Sequence, residues 1–536
     1  MEAQPHPFEA ALSLKEYDKE DCLSAIRGKK IPRALGYTIS RLCTIRGIRY
    51  HPGFATELHG SWAEFTRALN ARSIMSGSIP EITNPEEFPY CIWHPEIPSQ
   101  EACRELLRRY PHMKYHVGRV CAVAGYTELF HELDLLPEVH IAEEARDNGS
   151  TAIFDAILAN PVKYAVMNDY YRRLEETPRV GNLNDDTAVR SSLDIKQKFR
   201  PPISTDRYQP HTGDGTHDTL HYFNITEDYG VDEYNSEKVE CDSKILTPLL
   251  YTPLPADLPA VNKDLLILMA AYYGDVDRYA RLRRPIEMVS EFQCVIHGIY
   301  TNTMFAKWWT TQVPEPEIEE PPPNEAEDDD DDDEEEEEID SDEEEPWYKC
   351  SSLTSSINRA ITARFIMVND LSRITPEIFS LELPYTIWHP LVPLEETLEE
   401  LVRRKPDMKP QAARACIVGD YQQLYDKIDS DTDSGLLEEA RLSHNPYYLK
   451  DLEDKLKAGR GTDKDHYLEP WRRLTHTSLR LGTTDLQPNI SVNDVVPDFW
   501  SIYEGTLADP SRVELHVCVP EELKVNPPQY LRLWST

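Results

Sequence analysis

The sequence predicts a mainly α-helical protein built from two homologous lobes of stacked helical hairpins. Three observations carry that expectation. A block of about fifty residues is written twice. Paired helices broken by a glycine recur along the chain. Strand-like alternation is confined to one short stretch near the end.

The duplication is read first because it fixes the architecture. Phe88-Pro89-Tyr90-Cys91-Ile92-Trp93-His94-Pro95 returns 295 positions later as Leu383-Pro384-Tyr385-Thr386-Ile387-Trp388-His389-Pro390. Glu105, Arg108, Arg109, Arg119, Cys121 and Asp134 recur without a gap as Glu400, Arg403, Arg404, Arg414, Cys416 and Asp429, and Glu143-Glu144-Ala145-Arg146 recurs as Glu438-Glu439-Ala440-Arg441. Upstream, Cys43 to Tyr50 has a counterpart in Cys294 to Tyr300, with Phe54-Ala55 and Phe305-Ala306 at the same offset of 251. The duplicated unit therefore starts before the Trp-His-Pro block.

In chain order, residues 1–42 read as a polar, capping segment and 43–200 as the first helical lobe. Residues 201–262, rich in Pro, Asp, Thr and Tyr, read as an irregular connector over the lobes' surface. The second lobe starts at 263–313, is interrupted at 314–346 and continues through 347–500, with a C-terminal segment over 501–536. After Pro98 a helix is expected: Ser99 suits its N-cap, Glu101 its first turn, and Arg108-Arg109 its last turn before Pro111. Leu394 stands at the position of Ser99 in the second copy, so that cap is lost. Val117 to Leu133 and His140 to Leu158 each read as helix, glycine, helix, around Gly125 and Gly149. Val513, Leu515 and Val517 alternate with polar residues, which predicts a short strand at an edge.

The clearest hairpin is Leu265 to Tyr279, where Ala270-Ala271 pack one helix, Gly274 reverses the chain and a second helix follows. This stretch resembles the central part of an ankyrin repeat, and 117–133 and 141–158 resemble it less closely. The Thr-Pro-Leu-His opening and the regular 33-residue spacing of that family are absent. The resemblance therefore implies ankyrin-like hairpins and not an ankyrin array. The longer pattern, Trp-His-Pro followed by Arg-Arg-x-Pro and a small-residue helix, resembles a family of large uncharacterised filamentous-fungal proteins over residues 43–310 and 350–475. That resemblance implies no particular activity.

Composition narrows the function classes. The chain has 536 residues, 40% of them hydrophobic, and a net charge of −39. Pro314 to Pro346 holds 22 acidic residues and no Lys or Arg, which leaves −17 elsewhere. Like charges this dense cannot collapse, so the segment reads as a disordered acidic insert. The acidic balance argues against direct nucleic-acid binding, which needs a basic face, and against binding to anionic membranes. No apolar stretch approaches the length of a spanning helix, and Met1 to Asp21 carries no signal pattern. The ten cysteines include no Cys-x-x-Cys, so no zinc or disulfide framework is expected, and a cytoplasmic or nuclear location follows.

Candidate binding residues are Trp93, His94, Trp388 and His389, because they are duplicated. One reading is a paired pocket with an aromatic wall and an imidazole. The other is a Pro-bracketed turn in which tryptophan buries area, its indole N–H meeting a carbonyl. The second is favoured, since duplication preserves scaffold residues first. His211, His217 and His221 have a spacing that can supply metal ligands, but lack Cys partners or a helical Glu-x-x-His frame, so no metal is assigned. No phosphate-binding glycine loop or nucleophile elbow occurs, no catalytic residue is named and no cofactor is expected. Glu143-Glu144 and Glu438-Glu439 read as solvated helix faces, and Arg281, Arg283 and Arg284 as compensation of a helix end. The leading expectation is a non-enzymatic intracellular scaffold whose partners are other proteins. An enzyme or accessory factor of fungal metabolism with a pocket between the lobes, and an acidic nuclear chaperone of basic proteins, are the alternatives.

Overall fold

Helices dominate a computed structural model of the chain. It describes residues 8–184, 245, 248–250, 252–259, 263–285, 291–315, 348, 351–378 and 382–462, with strand segments at 481–482, 489–492 and 513–518. The chain divides into two compact units, Met1–Glu240 with Leu254–Val261, and Cys241–Pro253 with Asn262–Thr536. The second half of the connector is thus shared between units. It is not purely a surface strap, because Leu249, Leu250 and Leu258 are buried. Leu258 N–H donates to the Leu183 carbonyl at 2.7 Å.

Unit 1 opens with α1 (Glu9–Ser13), α2 (Lys19–Ile26), α3 (Thr38–Tyr50) and α4 (Ala63–Met75). The duplicated region follows as α5 (Gln100–Arg109), α6 (Lys114–Ala124), α7 (Thr127–Glu132), α8 (Val139–Asp147) and α9 (Thr151–Leu158). Unit 2 carries α10 (Asp264–Tyr273), α11 (Val276–Leu282), α12 (Glu291–Thr301), α13 (Thr303–Trp309) and α14 (Ser351–Met367), then α15 (Glu395–Arg404), α16 (Lys409–Gly419), α17 (Gln422–Ile428), α18 (Ser434–Leu442) and α19 (Pro446–Lys457). The order α5 to α9 is repeated as α15 to α19, with a 3-10 turn at Pro111–Met113 and again at Pro406–Met408. Three sequence-expected hairpins are present, reversing at Gly125, Gly149 and Gly274 with φ of 70°, 72° and 67°. That left-handed conformation is what a glycine supplies without a Cβ clash.

Local chemistry explains the helix ends. Ser99 Oγ accepts from Ala102 N–H at 3.2 Å, as its N-cap position predicts. Leu394 has no such side chain, and Asn369 Oδ1 accepts from Leu394 N–H at 2.8 Å instead, from outside the helix. Arg108 and Arg109 both pair with Glu105, and Arg403 and Arg404 with Glu400. One surface pair is informative because its signs are exchanged. Arg104 bonds Glu132 in unit 1, while the same two positions in unit 2 are Glu399 and Lys427, also paired. A contact that survives reversal of both charges places α5 against α7 as α15 lies against α17.

Packing between neighbouring helices is closest at the upstream duplicated glycines. A Cβ on Gly47 would lie 2.1 Å from the Ala25 carbonyl oxygen, and one on Gly298 would lie 2.0 Å from that of Ala271. Phe54 and Phe305 flank the same contacts. Glycine is therefore what lets α3 meet α2 and α12 meet α10, the reason these short motifs recur.

Strands occur where helical periodicity gives no warning. β1 (Lys163–Asn168) and β2 (Arg173–Gly181) form an antiparallel hairpin beside α8. Strand β5 (Val513–Cys518) is where alternation predicts it, but it is central, between β4 (Asn489–Val492) and β3 (Leu481–Gly482). Alternation reports the two faces of a strand and is silent about its two edges. Residues 316–347, most of the acidic insert, lie outside the described residues, as do His211, His217 and His221.

Candidate functional site

The Trp-His-Pro turn of unit 1 is held by α3 and α4. Arg49, fully buried, donates through Nη2 to the Cys91 carbonyl at 2.9 Å and the His94 carbonyl at 2.7 Å. Arg72 donates to the Arg49 carbonyl at 3.1 Å and to the Glu96 carboxylate at 2.5 Å. The Tyr50 hydroxyl and His94 Nε2 are 2.6 Å apart, so one satisfies the other. The His94–Pro95 and His389–Pro390 peptides are both cis. Trp93 is 1% exposed and belongs to the main core of unit 1. Its Nε1 has no hydrogen-bond acceptor among the described residues, contrary to the expectation of a carbonyl partner. What holds the indole instead is area and charge: the Arg119 guanidinium lies 4.6 Å from its ring centroid.

Arg119 is the hub of a buried ionic cluster. It projects from α6 and is 0% exposed. Its Nη2 donates to Glu144 Oε2 at 2.6 Å, and its Nη1 donates to Asp169 Oδ1 at 2.9 Å. The Tyr90 hydroxyl donates to the same Asp169 oxygen at 2.7 Å. Burial opposes ionisation of Asp169, but Arg119 and His140 overcome it and hold its carboxyl well below the usual carboxylate range. Burial raises Glu144 above its ordinary value, with Arg119 opposing. The neighbouring Glu138 caps α8: its carboxylate accepts from Ile141 N–H at 2.7 Å, from Val166 N–H at 3.2 Å and from His140 Nδ1 at 2.8 Å. One acidic side chain thereby ties the start of α8 to strand β1. Glu143 Oε1 accepts from Asn184 N–H at 2.8 Å. The expectation of a solvated glutamate face is therefore wrong in unit 1, where both Glu143 and Glu144 are buried. They face different ways, about 100° apart around the helix, and each meets its own donor, Asn184 N–H or the Arg119 guanidinium.

His140 gives this cluster a pH signature. Burial pushes its imidazole down, but the Glu138 carboxylate wins and holds it up to about 9. A free histidine titrates near ~6.5. A raised folded-state value contributes stability that is complete below ~6.5 and is lost as pH rises through about 9. Denaturant unfolding at pH 6.5 and 9.5 should show unit 1 losing on the order of 2–3 kcal/mol that His140→Gln does not lose. An equal loss in the variant would remove His140 as the cause. His116 works in the opposite sense: burial pulls it to about 3, so its contribution disappears on acidification below ~6.5.

Unit 2 repeats the hub with fewer described partners. Arg414 lies 4.6 Å from the centroid of Trp388, donates through Nη1 to the Tyr385 hydroxyl at 2.9 Å and through Nε to Glu439 Oε2 at 3.3 Å. Trp388 and Glu439 are buried, whereas Glu438 is the more exposed glutamate and pairs with Arg441. Arg364 of α14 donates to the Tyr300 carbonyl at 2.8 Å, as Arg72 does to that of Arg49. His389 is half-buried, and its neighbour on α12 is His297, stacked 3.7 Å from Tyr272 and pulled to about 4 by burial. Arg283 packs over Trp308, Trp309 and Tyr348, at 4.8, 5.9 and 4.5 Å from their centroids, so it serves an aromatic cluster more than a helix dipole.

Each unit thus gathers its own tryptophan and arginine from the duplicated block. Sequence reading missed Arg119, Arg414, Asp169 and Glu138 as site residues. The recurrence of Arg119 as Arg414 inside an apolar helix was the available signal. No group of three or more His, Cys, Asp or Glu suited to a metal occurs among the described residues, and no described helix is long and apolar enough to cross a membrane.

Fold and site together define a duplicated, mainly helical protein in which one Trp–Arg–Glu cluster is built twice. Residues 93–196, which begin at Trp93 and include Arg119, Glu144 and Asp169, match the YKP1 C-terminal domain family. An RF4 protein of Kluyveromyces lactis is 28% identical over 92 residues, 16% of this chain and 21% of that protein. The chain therefore spans about a fifth of that relative's length. No solved structure matches it.

Proposed function

We propose that the chain is a non-enzymatic intracellular scaffold, cytoplasmic or nuclear, that binds other proteins through ankyrin-like hairpins. The observation that supports this reading is the burial of the duplicated residues. Trp93, Arg119, Trp388 and Arg414 lie inside their own units, 1%, 0%, 5% and 2% exposed, and so maintain shape. Stacked hairpins of this kind bury their cores between neighbours and leave an outer face for partners. The acidic segment 314–346 adds a second mode, long-range attraction of basic proteins.

A pull-down comparing the full chain with one lacking 314–346, read by mass spectrometry and repeated with the purified candidates, tests both modes. The expected result is a set of partners kept by both chains and a basic, salt-sensitive set kept only by the full chain. Loss of every partner on deletion would assign binding to the acidic segment alone. Retention of none by the full chain would end the scaffold reading. The competing enzyme reading predicts that His94→Ala and His389→Ala abolish a measurable turnover while leaving the fold intact.

A further inference from the structure

We propose that Cys22 and Cys43 form a reversible oxidation site in unit 1, closing into a disulfide between α2 and α3 when a peroxide is present. The argument begins with placement. The two cysteines come from different helices that pack on each other, and both belong to one small cluster with Ala25, Ile39 and Leu42. Cys22 Sγ lies 3.7 Å from Ser40 Oγ, and Ser40 precedes Cys43 by three residues on α3, so both face Cys22. Both thiols are free.

Their environments differ in the way a reacting pair requires. A hydrogen bond from Cys43 lowers the Cys22 thiol against the opposing effect of burial, and Ser40 adds to it. Burial, then the bond to Cys22, drives the Cys43 thiol far up. Cys22 is therefore the more acidic thiol of the pair and the one placed to react first. Cys103 and Cys121 are an internal contrast. Cys103 acts on Cys121, but no hydrogen bond lowers either, and burial pushes both thiols up to about 12.

Both sulfurs are buried, so reaction needs a local opening. The cluster holding α2 has five buried members, against twenty-three in the main core of unit 1, and the smaller one opens at lower cost. Half-buried Tyr17 packs against this cluster, and its hydroxyl has no hydrogen-bond partner among the described residues, so it is a poorly tethered cover. The chemistry balances in two steps. The Cys22 thiolate attacks one oxygen of hydrogen peroxide, giving a sulfenic acid and releasing hydroxide. Cys43 then attacks that sulfur, the S–S bond forms, and water leaves with the Cys43 proton.

The test treats the full chain with hydrogen peroxide, alkylates the remaining thiols after denaturation and maps the peptides by mass spectrometry. The expected result is a Cys22–Cys43 cross-linked peptide, two hydrogens lighter than the sum of its parts and reversed by dithiothreitol. Cys103 and Cys121 should stay alkylatable. Cys43→Ser should instead accumulate a sulfenic acid at Cys22 that dimedone traps. Absence of the cross-link in the wild-type chain, or equal oxidation at Cys103 and Cys121, overturns the proposal without reliance on any variant.

Discussion

Replacing Arg119 by alanine should destabilise unit 1 by about 3–5 kcal/mol, the cost of leaving a buried carboxylate without its counter-charge. The reason is arithmetic of charge. Asp169 and Glu144 are 0% and 2% exposed, and both accept from the same guanidinium. Without it neither is hydrated, so the unit must protonate them or open. Arg119→Lys should recover little, because a single ammonium cannot present two forks and stack on Trp93 at once. Hydrogen exchange of α6 and α8 amides, read beside denaturant unfolding, measures the effect where it falls. Arg414→Ala should destabilise unit 2 in the same way, by stripping buried Glu439 of the guanidinium that faces it. Unchanged exchange in Arg119→Ala would show that the cluster does not hold the unit together.

Trp93→Ala should cost a similar ~3–5 kcal/mol by leaving a cavity in the main core. His94→Ala removes the smaller side chain and its hydrogen bond to Tyr50, a bond worth about 1 kcal/mol, and should cost less than Trp93→Ala. The contrast separates two roles for one dipeptide. As scaffold, the tryptophan dominates stability and the histidine adds less. As a reactive pocket, the histidine would matter to function and the tryptophan to binding, with modest changes in stability. Thermal unfolding of the two variants decides between them. Equal, small losses would contradict the packing described for Trp93.

The duplication made much of the molecule legible. Helix–glycine–helix spacing, the Ser99 cap and the paired arginines after Glu105 and Glu400 all depend on neighbours within a few residues, so local pattern captures them. The β1–β2 hairpin was not legible, because a short strand held by one capping glutamate leaves no periodic trace. The buried glutamates were misread for a related reason. A charged side chain on a helix is solvated unless something distant meets it, and Asn184 and Arg119, which meet Glu143 and Glu144, are distant in sequence.

By itself, then, the sequence determined that the chain is helical, that a single unit is used twice and which residues recur. It did so because hydrophobic period, turns and self-similarity are properties of nearby residues. Only the tertiary structure decided what the recurring residues are for: Arg119 under Trp93, Glu138 across to β1, Cys22 beside Cys43. Burial and charge pairing are set by groups brought together from far along the chain, and no local pattern encodes which groups those will be.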